Sequence, residues 1–382
     1  MSSYANWVEV PVIDLSDEEP QLDGDGDGIE ASGVSTGENG PKEVQWFQQV
    51  NTVEPVKRAL EMVPELEPER AKRHCHMTPM EVVNFTRTMR TPGTAIFGEA
   101  NEDFLVHLQE NGFAILQGVL GDAGHIFRDE FWKAMTTVVP DLDIGKQHTW
   151  NFPKGFRGIV TSYGLPHADF AWMVRAHPRI REAFASIFGT KDLAVSLDAV
   201  IAQAQNSKSK LPGWLHKDQH PNHKGLSVQA VYTHFGSGPH DAGTCVVPGS
   251  HKVTFPWEWR AKGDHLRAPE DALQPASPLK PDVPPDSVVF FNSRLLHASV
   301  CGTGHFCGRP ARLGVCVAYA PVARRSEQTR RKKEKAYLQG KCSSHWPCDK
   351  FALKPPIKSF QILKGAVSLP PPQPLKERLS LL

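Results

Sequence analysis

The sequence predicts an α+β domain built on a β-sandwich or barrel. Three observations predict it. Helical periodicity is concentrated before about residue 190, short apolar β runs separated by turn residues follow it, and the composition supports a sizeable core. The 382 residues are 40% hydrophobic, with 19 Phe and 9 Trp. That length suits one catalytic-sized domain with flanking extensions.

The order of elements begins with a segment that carries no fold signal. Residues 1–41 contain no Lys or Arg but carry acids from Glu9 to Glu38 around DGDGDG, a composition that predicts a disordered acidic tail over 1–43. Asp23, Asp25, Asp27 and Gly28 imitate the start of a calcium loop, but the twelfth position is Val34 and no amphipathic helices flank it. A helical extension over 44–100 follows, in which the charged stretch Val53–Arg73 is interrupted by Pro64 and Pro68. HCHM at His74–Met77 has no distant partner pair and reads as surface or packing residues.

The main domain is expected over 101–322. Asn101–Leu120 reads as a short helix ended by Gly112, then a strand FAIL and a turn. Phe170, Met173, Val174, Ile180, Phe184 and Ile187 form one buried helix face ended by Gly189. The β runs are LAVSLDAVIAQA, LSVQAVYTHF, GTCVVPG, SVVFFN and LGVCVAYAP. Beyond them, 323–382 is expected as a basic and then Pro-rich extension. Its run Arg324–Lys335 offers a nuclear signal or phosphate patch, against a solvated helix interspersed with Glu327 and Glu334. PPPQP is a polyproline-type element and a candidate tail ligand.

Charge and targeting narrow the function classes. Lys and Arg total 43 against 42 Asp and Glu, so no global field recruits nucleic acid or an anionic membrane. No window approaches the roughly 18 apolar residues of a membrane span, and neither a secretory leader nor a peroxisomal address is expected. Seven cysteines without a regular framework point to a reducing compartment. The cytoplasm is the default location, with the nucleus open.

The chemistry concentrates in LPGWLHKDQHP. On a strand edge His216 and Asp218, at i and i+2, face one way and Lys217 the other, towards substrate or solvent. The pair can bite one metal. His220 shares the parity, but Pro221 turns the chain behind it, which leaves His220 beside the metal pair. An isolated His-x-Asp is equally a turn or a satisfied core histidine, so a third ligand decides the matter. The best candidate is His297, at the exit of the apolar strand in PDSVVFFNSRLLHAS. Two His and one carboxylate on one face leave the opposite positions open, as in non-heme Fe(II) oxygenases. Arg312 opens a further apolar strand, whereas Arg309 precedes Pro310 in a glycine-rich loop.

GWLHKDQHP, DAGTCVVPGSHK, SRLLHAS and RPARLGVCVAYAP, in that order, resemble the phytanoyl-CoA dioxygenase (PhyH) family of Fe(II)/2-oxoglutarate-dependent oxygenases. HPRIREAFASIFGTKDLAVSLD resembles the helix and first strand that precede them, and the likeness spans about Glu102–Pro321. It implies a double-stranded β-helix (jelly-roll, cupin-like) core with flanking helices. It also implies His216, Asp218 and His297 as iron ligands, and Arg312, favoured over Arg309, for the distal carboxylate of 2-oxoglutarate with Ser299 donating to the same group. Fe(II), 2-oxoglutarate and O2 would then hydroxylate a small-molecule or acyl substrate, releasing succinate and CO2. Asp218, in place of Gly or Ala, argues against halogenation, while desaturation or cyclisation use the same chemistry.

Around this set, Asn292 and Arg294 read as loop holders, and Trp214, Gln229, Tyr163 and His167 as cavity lining or core packing. The turn Gly249-Ser250-His251 reads as structural. The alternatives are a zinc-dependent hydrolase, which gives Arg312 and Ser299 no shared task, a non-catalytic cupin-like binding protein, and, as a minor reading from the basic run, an oxygenase acting on nucleic acid.

Overall fold

A computed structural model of the chain describes residues 95–153, 158–205, 215–220, 222–238, 240–252, 265–267, 278–300, 302, 308–355 and 362–382. The acidic segment with its calcium-like loop, the charged stretch 53–73, HCHM and Trp214 lie outside the described residues.

After β1 (Ile96–Phe97) comes α1 (Glu102–Asn111), where the Asn101 side chain accepts from the Phe104 amide and Gly112 ends the helix at φ +82°. Only glycine fits there, because a Cβ would stand 2.5 Å from His251 Nδ1 and 2.6 Å from Leu295. The next elements are β2 (Phe113–Gln117), α2 (Gly124–Val138) and β3 (Ile159–Val160). The face expected as one helix from Phe170 is instead two, α3 (Asp169–Arg175) and α4 (Pro178–Phe188). Pro178 has no amide to continue α3 and serves at the first position of α4. Gly189 closes α4 at φ +65°, as its sequence predicts.

The strands follow as β4 (Leu193–Val195), β5 (Val200–Gln203), β6 (His216–Lys217), β7 (Val228–Thr233), β8 (Gly243–Val246), β9 (Leu266–Arg267), β10 (Ser287–Asn292), β11 (His297–Val300) and β12 (Arg312–Pro321). They form two sheets. The larger has the order β1-β2-β10-β7-β12-β5-β3 with β4 also on β12, and the smaller β8-β11-β6-β9. Apart from the parallel β1–β2 pair, the pairings are antiparallel.

Alternation along β10 splits the core. Val288 and Phe290 join the cluster under the helices, with Phe104 and Phe184 edge-on to Phe290 at 5.4 and 5.2 Å. Val289 and Phe291 face the other way and meet Val246 of β8, Phe113 and Ile115 between the sheets. Each buried Phe contributes about 1.5–3 kcal/mol. The helices thus cover one face of the large sheet, and its other face meets the smaller sheet.

The C-terminal region packs on the same core. In α5 (Glu327–Leu338) the basic run is laced by its own acids: Arg330 pairs with Glu327 at 2.8 Å and Glu334 at 3.0 Å, and Arg331 with Glu327 at 3.0 Å. That is the solvated-helix reading, except that Lys333 is fully buried. The trailing chain, with its short α6 (Lys376–Leu379), returns across the helices, and Ala336, Tyr337, Leu363, Leu381 and Leu382 enter the main core. Within PPPQP the Gln373 carbonyl accepts from the Tyr337 hydroxyl, which tethers the segment to α5, while Pro370, Pro371, Gln373 and Pro374 stay exposed. Among the described residues no helix is long and apolar enough to cross a membrane. Cys316, Cys342 and Cys348 are free thiols.

Candidate metal centre

The smaller sheet builds the site. β6 and β11 pair antiparallel with His216 opposite His297, and their rings are 4.3 Å apart. Asp218 lies just past β6, seated by the Ser293 carbonyl, which accepts from the Asp218 and Gln219 amides at 2.8 and 3.0 Å. Its carboxylate reaches both imidazoles: Oδ1 is 3.3 Å from His216 Nε2 and Oδ2 is 3.3 Å from His297 Nε2. One donor atom from each residue lies within 4.8 Å of the others, the one such group of three among the described residues.

These atoms fit a metal. Each imidazole Nε2 lies 3.3 Å from one oxygen of the carboxylate, near the about 3 Å that separates ligands bound at about 2.1 Å and about a right angle apart. The donor set of two imidazole nitrogens and one carboxylate suits a divalent transition metal with open positions. His297 Nδ1–H donates to the Leu295 carbonyl at 2.9 Å, which leaves Nε2 as the nitrogen that would ligate a metal. Burial would raise the Asp218 carboxyl, but the two imidazoles hold it well below the usual carboxylate range.

Two further side chains neighbour the centre: Gln229, which the sequence offers as cavity lining or core packing, and His265, which it does not single out. Gln229, on β7 of the opposite sheet, donates Nε2 to Asp218 Oδ2 at 2.8 Å and to Ser293 Oγ at 3.2 Å, so it orients the carboxylate. His265 stands edge-on to His216 at 5.8 Å. Phe291, with its ring 4.5 Å from that of His297, carries the apolar wall up to the site.

Lys217 turns away from the centre as strand parity predicts, but it does not open to solvent. It is buried, and its Nζ donates to the Ser250 carbonyl at 2.7 Å. Burial, reinforced by Arg294, lowers its amine to about 7. The Gly249-Ser250-His251 turn is structural: Ser250 Oγ accepts from the Leu296 amide at 2.8 Å and His251 Nε2 donates to the Gln109 carbonyl at 2.9 Å. This turn fixes the approach to His297.

At the start of β12, Arg312 is buried and reaches across to the smaller sheet. Nη1 donates to Ser299 Oγ at 2.7 Å and Nη2 approaches Thr244 Oγ1 at 3.4 Å, where Ser299 and Thr244 are register partners on β11 and β8. A buried guanidinium flanked by two hydroxyls is a cradle for a carboxylate. Ser299 is two residues from His297, about 7 Å along a strand, a span comparable to a five-carbon dicarboxylate. Arg309 is turned elsewhere, against Asp241 at 3.4 Å and over the Phe235 ring.

The remaining candidates lie apart from the centre. Asn292 Oδ1 accepts from the Arg294 amide and Arg294 Nη2 donates to the His223 carbonyl at 2.7 Å, so both hold loops. His220 Nδ1 accepts from the Asn222 amide at 3.1 Å in a turn. The Tyr163 hydroxyl accepts from the Leu363 amide, and His167 Nε2 donates to the Lys341 carbonyl; both belong to the helix-side packing.

The sequence model of the family described as phytanoyl-CoA dioxygenase (PhyH) matches residues 108–302. A curated relative, Ava biosynthesis cluster protein O of Aspergillus versicolor, is 34% identical over 117 residues, which is 29% of this chain and 38% of the relative. The chain therefore spans well under half the length of that relative. Solved structures similar to the chain include the non-heme alpha ketoglutarate dependent carbocyclase SnoK from nogalamycin biosynthesis, at 18% identity and TM-score 0.43 over 61% of this chain and 88% of that one. AviO1 from Streptomyces viridochromogenes Tue57 is 17% identical, with TM-score 0.42 over 62% of this chain and 98% of its own.

Proposed function

The chain belongs to the phytanoyl-CoA dioxygenase (PhyH) family, whose double-stranded β-helix core its two sheets form, and from that premise we propose that it is an Fe(II)- and 2-oxoglutarate-dependent dioxygenase that hydroxylates a small-molecule or acyl substrate. The observation that carries the reading is the meeting of His216, Asp218 and His297 on the smaller sheet, with the Arg312–Ser299 pair farther along the same strand. A zinc-dependent hydrolase would leave that second pair without a task.

His216 Nε2, His297 Nε2 and the Asp218 carboxylate hold the iron. Arg312, with Ser299 and Thr244 beside it, takes the distal carboxylate of 2-oxoglutarate. When bound, Fe(II) with 2-oxoglutarate and O2 supplies the oxidising chemistry: one oxygen atom enters the substrate as hydroxyl, the other enters succinate, and CO2 leaves. The protein's share is placement. Gln229 fixes the Asp218 carboxylate, the Leu295 carbonyl fixes the His297 tautomer, and Phe291 keeps water from one side of the centre. The free thiols agree with a reducing cytoplasmic or nuclear setting.

The test is anaerobic addition of Fe(II) and 2-oxoglutarate, watching for the weak visible charge-transfer absorption of an iron–oxoglutarate chelate. The band is expected in the wild type, absent in His216→Ala, and in Arg312→Ala to require far more 2-oxoglutarate. No band in the wild type, with both components in excess, would sink the proposal.

A further inference from the structure

Resting on that reading of the site, we propose that Asp349 and Trp346, in the C-terminal region beyond the residues the family covers, are positioning residues for the iron centre: they lock His223, and with it the run 222–226 that leads to the strand carrying Gln229, which holds the Asp218 carboxylate.

The run 222–226 joins two groups that touch one carboxylate. At one end is Asp218 itself, and at the other β7 brings Gln229 back to donate to Asp218 Oδ2. Three carbonyls of this run are held by side chains, and the His223 amide donates to the His220 carbonyl at 3.0 Å. Gln219 Nε2 donates to the carbonyls of His223 and Gly225 at 3.1 and 2.7 Å, and Arg294 Nη2 to His223 at 2.7 Å. Arg324, just past β12, donates Nη1 to the Leu226 carbonyl at 2.6 Å. With the backbone so fixed, the side chain of His223 is the handle left, and the C-terminal region grips it. Asp349 Oδ2 is 3.2 Å from His223 Nε2 and the Trp346 ring is 4.7 Å from the imidazole at 50°.

Burial, the largest influence, together with Lys350, Arg294 and Arg324, outweighs Asp349 and lowers the His223 ring below its ordinary value. The contact at neutral pH is therefore a neutral imidazole donating Nε2–H to a carboxylate. The grip is itself anchored. The Ser343 amide donates to the Leu197 carbonyl at 2.8 Å, the Leu197 amide returns to Ser343 Oγ at 3.1 Å, and Cys348 packs on Ala194 and Ala320 beside β4 and β12. Lys350 Nζ sits over the outer face of Trp346 at 5.7 Å. The Trp346 ring, buried, also meets the His345 ring at 5.2 Å, so His223 is packed into an aromatic group of the C-terminal region.

The experiment uses the full chain as wild type, Asp349→Ala, Asp349→Asn and Trp346→Leu. Hydrogen exchange of amides 222–230 is followed in the metal-free protein, together with the anaerobic Fe(II) titration in the presence of 2-oxoglutarate. In Asp349→Ala and Trp346→Leu, with the thermal midpoint near that of the wild type, exchange in this run is expected to quicken about 5–30-fold, the effect of losing a local clamp. Fe(II) binding is expected to weaken about tenfold. Asp349→Asn keeps an acceptor for Nε2–H and should restore both. Unchanged exchange and Fe(II) affinity in the alanine and leucine variants would overturn the proposal, as would a uniform fall in protection across the whole core. If the wild type binds no Fe(II), the function proposed above fails, and the exchange arm alone decides whether the grip exists.

Discussion

His216 and His297 are register partners across β6 and β11, and the Asp218 carboxylate lies 3.3 Å from the Nε2 of each. Backbone pairing, rather than a flexible loop, therefore sets the bite of the centre. Asp218→Asn keeps the shape and removes the charge, and it is expected to abolish Fe(II) binding in an anaerobic titration while the fold persists. In the metal-free wild type the folded carboxyl sits below its unfolded value. Its contribution to stability is present above about pH 4 and fades as pH falls further. Chemical denaturation of Asp218→Asn across that range should show a flatter acid limb.

Gln229 is a polar side chain on the inward face of a central strand, next to the apolar inter-sheet cluster, and its amide meets Asp218 and Ser293. Gln229→Leu keeps volume and deletes the donor. Fe(II) affinity should fall about 10–100-fold. Equal affinities for the two proteins in the same titration would remove Gln229 from the site.

Arg312 reaches from the large sheet to two hydroxyls on the small one. Arg312→Lys keeps charge but loses the fork, so the 2-oxoglutarate concentration for half-saturation should rise about 10–100-fold, the effect of losing charged hydrogen bonds worth about 1.5–3 kcal/mol. Thr244→Val is expected to cost less, about tenfold at most, because a neutral donor contributes about 1 kcal/mol. Fe(II) binding without 2-oxoglutarate should be unchanged in both.

Lys333 is fully buried in α5, and its Nζ has no hydrogen-bond partner among the described residues. Burial, partly offset by Cys348 and reinforced by Arg325, lowers its amine to about 7. Between about pH 7 and the unfolded value near 10.4 the unfolded chain holds the extra proton, so wild-type stability should rise with pH through that window. Lys333→Met removes that slope and should stabilise the protein by about 1–3 kcal/mol at pH 7, read by chemical denaturation at several pH values.

What was legible in the sequence follows the range of the physics involved. Strand parity placed His216 and Asp218 together and turned Lys217 away, because alternation is local. Parity says nothing about what lies on the far side, so Lys217 read as open to solvent when Ser250 covers it. Gln229 and Thr244 acquire their partners through register between segments far apart in the chain, and no short-range pattern carries that information. The break between α3 and α4 was readable, since Pro178 stands in the sequence, but the apolar periodicity runs through it and hides the interruption. The Pro-rich segment looked free because composition cannot show that Tyr337 reaches it.

β6 is two residues long and β9 likewise, so the smaller sheet closes on few backbone bonds of its own. An ion gripped by His216 and Asp218 on one side and His297 on the other acts there as a fastener between distant parts of the chain. Metal supply would then bear on how much of the protein stays folded. At a free concentration of about 100 times Kd, a ligand bound only by the folded state adds about 2.7 kcal/mol. Scarcity of iron in the cell would withdraw that increment from every copy at once, and the population exposed to proteolysis would grow before any substrate was missed.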